Sequence, residues 1–121
     1  MMVSDGLIAW VCEGTKRSPR VVELVNQDPM VIQVFLKYLR SLGIDEKRLR
    51  GRLEIAVDED QEKEMEKWSN ITGIPKSQFT KPILKYHKGR RSTCSMVVRY
   101  SSAELQRRII EEAKKFGYLS R

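Results

Sequence analysis

The chain has 121 residues, of which 40% are hydrophobic, and a formal net charge of +7. This is enough apolar material to bury one core without disulfides or metal, so we expect a single domain over residues 1–121. The two cysteines, Cys12 and Cys94, have no C-x-x-C spacing, which argues against zinc or a disulfide scaffold and predicts buried free thiols. No apolar run approaches the ~20 residues of a membrane span, and no secretion signal opens the chain. A cytoplasmic protein with no membrane partner is therefore expected.

The first predicted element is a helix over residues 6–13, with Gly14 at the left-handed position after its end. It is apolar nearly all round until it reaches Glu13, and a helix of this kind is buried on every side. A short β-branched strand follows over residues 20–25. Asp28 and Pro29 then start a second helix, since this pair combines a cap with a proline in the first turn, and Gly43 ends it.

Residues 48–55 alternate apolar and polar side chains, which is the period of a half-buried strand. Its predicted outward face consists of Arg48, Arg50, Arg52 and Glu54. A third helix is predicted over residues 58–72, with an acidic first turn that suits the helix dipole.

Residues 80–87 and 93–100 are predicted to form a hairpin around the turn at residues 88–91. Ser101 and Glu104 have the spacing of a capping box, which would open a last helix with Leu105, Ile109, Ala113 and Phe116 inward. The order of the elements favours an α+β fold, in which an antiparallel twisted sheet carries helices on one face.

The positive charge is concentrated in one segment. Between Lys67 and Ala103 there are eight basic residues and no Asp or Glu. A merely soluble basic surface would explain part of this, but the complete lack of acids favours a face that binds a polyanion.

A basic sheet face dotted with hydroxyl groups fits the major groove of B-DNA, where Arg and Lys read guanine. The residues of the predicted turn would contact phosphates instead. The alternative is a solvated face whose cations discourage edge pairing. The predicted DNA-binding residues are Arg48, Arg50, Arg52, Lys81, Lys85, His87, Lys88, Arg90, Arg91 and Arg99.

Gly6, Ala9 and Glu13 follow one another at spacings of three and four in the first helix. This leaves one helix face nearly without bulk, so that a second helix can approach closely. A dimer interface formed by Gly6, Ala9, Trp10 and Glu13 is therefore predicted. An acid is disfavoured at a helix C-terminus, which makes Glu13 a candidate Mg²⁺ ligand. The alternative is that Glu13 is simply the first exposed residue after a core helix.

The run from Gly6 through Glu13 and Gly14 to Lys16 resembles the signature helix of the LAGLIDADG homing endonucleases. Residues 25–29, 35–39 and 67–75 are similar to further motifs of one branch of that family. The resemblance implies a saddle-shaped sheet for DNA and a homodimer around the signature helix. It also implies Mg²⁺ held by Glu13 of each subunit, with Lys85, Arg99 or His87 stabilising the charge of the phosphorane.

The sequence departs from the family in three respects. Glu13 stands where Asp is more usual, Ile8 and Trp10 are bulkier than the residues of the family's tightest interfaces, and a helix separates the first two predicted strands. Three functions stay open: a homodimeric DNA-binding protein whose nuclease activity is weak or lost, a Mg²⁺-dependent site-specific endonuclease, and a module that binds RNA or an acidic protein.

Overall fold

The computed structural model describes residues 4–15, 20–85 and 94–117, with the side chains of Ser4 and residues 12–15 outside that description. The described residues form the helices α1 (Ser4–Glu13), α2 (Pro29–Ser41), α3 (Gln61–Thr72) and α4 (Ala103–Lys115). They also form the strands β1 (Gly14–Thr15), β2 (Val21–Asn26), β3 (Arg50–Ala56), β4 (Ile83–Lys85) and β5 (Cys94–Ser101).

The strands form one sheet in the order β1-β2-β5-β3-β4. β5 lies at the centre and pairs antiparallel with β2 on one edge and with β3 on the other. β3 and β4 pair in parallel. The α+β class predicted from the sequence is confirmed, whereas the sheet is mixed and not purely antiparallel.

The predicted hairpin between the last two strands is wrong. Both edges of β5 are already occupied by β2 and β3, so β4 cannot pair with it. The segment before β4 instead runs beside β3, beginning where Phe79 faces Gly51 and the amide of Thr80 donates to the Gly51 carbonyl. A parallel pair needs a crossover connection, and α3 supplies it.

The helices cover one face of the sheet. Every second residue of the central strands faces the helices, for example Leu24 of β2, Val98 of β5 and Leu53 of β3. These residues belong to the same buried cluster as the inward residues of the helices. The cluster includes Phe35 of α2 and Ile109 of α4. Because side chains alternate along a strand, the residues between them lie on the opposite face.

Helices α2, α3 and α4 each begin directly after a residue whose side chain caps the first turn. The carboxylates of Asp28 and Asp60 accept hydrogen bonds from the amides of Met30 and Lys63, so α3 begins later than predicted. α4 is capped by Ser102, whose hydroxyl accepts from the amide of Leu105; the predicted capping box with Ser101 was therefore placed one residue early. Phe116, predicted to point inward, is exposed because it follows the end of α4.

α1 packs against α2 of the same chain at very close range. A Cβ atom added at Gly6 would lie 2.2 Å from the Cβ of Tyr38 and 2.5 Å from the carbonyl oxygen of Val34. Trp10 is fully buried in the core. The prediction that Gly6 and Trp10 face a partner subunit is thereby corrected, because α2 occupies the space beside Gly6 and Trp10 lies inside the core. Ala9 is half-buried and Ile8 is 40% exposed.

Within the described residues, no helix is long and apolar enough to cross a membrane. Cys94 is half-buried as a free thiol, and burial raises its pKa to about 11. Cys12 has its side chain outside the described residues.

We expect Gly6→Ala to lower the free energy of unfolding by about 2–3 kcal/mol, because the added methyl group overpacks the α1–α2 contact. In an isolated helix the same change would stabilise by about 1 kcal/mol, so the sign of the effect tests the packing. Urea unfolding measures it. Gly51→Ala is the control, with a smaller expected loss, because the nearest atom to its new methyl group is the flexible end of Met96. Equal losses would contradict the prediction.

Candidate nucleic-acid interface

The sheet surface opposite the helices is called the open face here. Its side chains come from the three central strands and mix cations, hydroxyls and valines. The register aligns them in rows across β2, β5 and β3. The open face consists of Val21, Glu23, Val25, Ser95, Val97, Arg99, Ser101, Arg50, Arg52 and Glu54, with Lys85 of β4 at its edge.

Two of the predicted DNA-binding cations are joined to acids. Arg99 Nε lies 2.7 Å from an Oε atom of Glu23 on β2. Lys85 Nζ lies 2.8 Å from an Oε atom of Glu54 on β3. The segment between Lys67 and Ala103 contains no Asp or Glu, but in the folded sheet it contacts acids from other parts of the chain.

Two arginines of β3 carry the positive charge that is not compensated in this way. Arg50 is exposed and donates from Nη1 to the carbonyl oxygens of Lys47 and Leu49. Arg52 is half-buried, and its Nε atom has no hydrogen-bond partner among the described residues. Neither arginine forms an ion pair with a described acid. Lys81 is exposed just before β4.

Arg48 has a different environment from the one predicted. It lies in a short 3-10 helix, Glu46–Arg48, before β3 begins. Its guanidinium stacks over the Tyr100 ring at 4.8 Å from the centroid and donates to the Ser101 carbonyl. The Tyr100 hydroxyl in turn accepts from the amide of Asp45. Arg48 thus links the end of β5 to the loop before β3. Because it precedes β3 and lies over the ring of the buried Tyr100, it does not belong to the outward row of β3.

The centre of the open face is apolar and dense. Val97 is fully buried although it does not belong to the core cluster beneath the helices. Its cross-strand neighbours are Val25 on β2 and Arg52 on β3. The aliphatic stem of an arginine can cover apolar surface while its charged end stays in water. Arg52 lies directly across from Val97, so its stem is placed to cover this valine.

Several predicted residues lie outside the described residues. These are His87 of the predicted strand, then Lys88, Arg90 and Arg91 of the predicted turn, and the side chain of Glu13. α1 ends at Glu13, directly before β1. In the described part of the chain, no group of three or more His, Cys, Asp or Glu side chains is placed to hold a metal ion.

One further polar contact lies inside the fold, away from the open face. The Tyr38 hydroxyl donates to a carboxylate oxygen of Glu112 at 3.0 Å, which links α2 to α4. Burial, reinforced by Glu112, raises the pKa of Tyr38 well above its usual value. The tyrosine therefore stays protonated and acts as a structural donor.

Sequence reasoning missed Glu23 as a residue of this surface. In β2, Glu23 lies between the buried residues Val22 and Leu24, so the alternation of the strand predicts that its side chain points to the open face. Its pairing with Arg99 could not be predicted, because that contact joins positions 76 residues apart in the chain.

No family model, curated protein or solved structure matches this chain.

Proposed function

We propose that the protein binds duplex DNA through the open face. The observation that supports this most directly is the pair Arg50 and Arg52 on β3, which face away from the helices without a described acidic partner. Phosphate contacts by Arg and Lys supply most of the affinity of proteins for DNA. Arg99, on the central strand, is placed between Glu23 and Arg50.

The size of the sheet limits how it would meet the duplex. Five strands spaced by 4.7–4.9 Å span about 19 Å, which exceeds the major-groove width of about 12 Å. The whole sheet therefore cannot enter the groove. In the proposed complex only part of the sheet, β5 with β3 and β4, enters the groove. Arg99 and Lys85 face base edges there, while Arg50, Arg52 and Lys81 contact phosphates.

We further propose that two copies assemble around α1, as the resemblance to LAGLIDADG proteins implies. The exposed Ile8 supplies an apolar contact on the outside of this helix. Glu13 of each subunit would hold Mg²⁺, which supplies Lewis-acid stabilisation of a phosphate when it is bound. The end of α1 at Glu13 is the feature that supports this second function, DNA cleavage.

The double variant Arg50→Ala/Arg52→Ala is expected to bind duplex DNA about sixtyfold more weakly at 100 mM salt, if each arginine neutralises one phosphate. The salt dependence of log K would flatten by about 1.8 for the same reason. Fluorescence anisotropy with a labelled duplex measures both quantities. The control is Arg107→Ala/Lys115→Ala, which removes the same charge from exposed positions on α4. An equal loss in both variants would show that only net charge matters.

Competition with a double-stranded RNA separates this proposal from an RNA-binding module. The deep, narrow major groove of A-form RNA cannot admit the strands, so RNA is expected to compete much less well than DNA of the same length. Equal competition would contradict a DNA-binding open face.

Sedimentation at micromolar concentration is expected to give twice the 14.1 kDa mass of the chain. Ile8→Glu should shift the protein to the monomer, because a charge in an apolar helix contact is costly to bury. Met30→Glu on α2 is the matched control, since Met30 is 60% exposed and lies outside the proposed contact. A wild-type monomer, or a dimer that survives Ile8→Glu, would refute the α1 interface.

Nicking of supercoiled plasmid in Mg²⁺ is expected to fall below detection in Glu13→Gln, because the amide cannot supply the negative charge that the metal requires. Duplex affinity should persist, since the proposed DNA-binding residues are those of the open face. Nicking that continues in the variant would remove Glu13 from the reaction.

A further inference from the structure

The two ion pairs of the open face have carboxylates that are well packed. The side chains of Glu23 and Glu54 are only 15% and 17% exposed, whereas those of Arg99 and Lys85 are 37% and 45% exposed. Each acid therefore lies deeper in the surface than the cation it holds. A ligand that approaches the sheet meets the cation first, with the carboxylate close behind it.

The register explains why Glu23 is needed beside Arg99. Glu23, Arg99 and Arg50 occupy one row across three adjacent strands. Like charges directly opposite each other on a sheet repel, and Arg99 and Arg50 are such a pair. Glu23 compensates that repulsion from the other side of Arg99.

The two pairs divide the cations of the open face into two classes. Arg50 and Arg52 have no described acidic partner and can neutralise any phosphate. Arg99 and Lys85 already have an anion within 3 Å. A phosphate that reaches either of them must displace the carboxylate or tolerate its negative charge at short range, and at a partly buried site that repulsion is weakly screened.

Base edges differ from phosphates in this respect. The amino group of cytosine donates to Glu, and guanine accepts from Arg or Lys, so an acid–base pair can meet a base pair without expelling either member. We propose that Glu23 and Glu54 are specificity-determining residues. They keep Arg99 and Lys85 from binding phosphate indiscriminately and reserve them for the edges of bases. This inference rests on the proposed binding of DNA by the open face.

A purely structural role for the acids predicts a different result. If the ion pairs served only to hold the strands together, removing an acid would lower stability and leave DNA affinity unchanged or weaker. Under the proposal, the same change raises affinity for duplexes of any sequence. The direction of the change in affinity therefore separates the two roles.

The test uses Glu23→Gln and Glu54→Gln with a mixed-sequence duplex of about 20 base pairs, measured by anisotropy between 50 and 200 mM salt. Each variant is expected to bind about fifteenfold tighter at 50 mM salt, because one added phosphate contact strengthens binding by a factor of about eight for each tenfold dilution of salt from 1 M. The slope of log K against log salt should steepen by about 0.9, for one added phosphate contact. Glu111→Gln is the control, since it removes the same charge from an exposed position on α4.

The double variant Glu23→Gln/Arg99→Gln completes the cycle. It is expected to lose the gain in duplex affinity of Glu23→Gln, because the Arg99 side chain that Glu23→Gln frees for phosphate is absent. A gain retained in the double variant, a gain equal to that of Glu111→Gln, or weaker binding by variants whose thermal unfolding is unchanged would each overturn the inference. If the wild type binds no duplex at 50 mM salt, the proposed function fails and this inference fails with it. If the wild type binds and Glu23→Gln gains nothing, only the specificity role is refuted.

Discussion

The pairing of β5 on both of its edges is the constraint from which the surface of this protein follows. With β2 on one side and β3 on the other, the direction of every side chain on three strands is linked to one register. A shift by a single residue would exchange the two faces of a strand, and the buried cluster around Val98 leaves no room for such a shift. Arg99 is therefore held on the open face by the hydrophobic core on the other side.

The same register decides which charges become neighbours. The sequence separates acids from bases, with the basic excess in one long segment, but the sheet brings Glu23 and Glu54 back beside that segment. The positive charge is consequently not uniform over the open face. Arg50 and Arg52 of β3 lie between two ion pairs, Arg99–Glu23 and Lys85–Glu54. For binding, this pattern matters more than the total of +7, because screening confines each charge to its near surroundings.

Much of the fold could be predicted because its signals are local. The cap at Asp28, the stop at Gly43 and the alternation around Leu53 each depend on a few adjacent residues, and the structure bears them out. The failures concern contacts between distant segments. Nothing local distinguishes a strand that pairs with the next one from a strand that reaches back to β3, and nothing local shows that the small residue Gly6 accommodates Tyr38 of the same chain. The outward position of Arg50 and Arg52 was predictable, whereas the partners of Arg99 and Lys85 were not.

The short last strand of the sheet has a consequence for self-association. β4 has only three residues, directly follows Pro82 and is bracketed by Lys81 and Lys85. Proline offers no amide to an added strand, and lysines at an edge repel a second copy of themselves. This edge is a poor template for the growth of the sheet from one molecule to the next, even though Ile83 and Leu84 leave apolar surface there. The protein can therefore expose the partly apolar β4 edge with little tendency to add a further strand there.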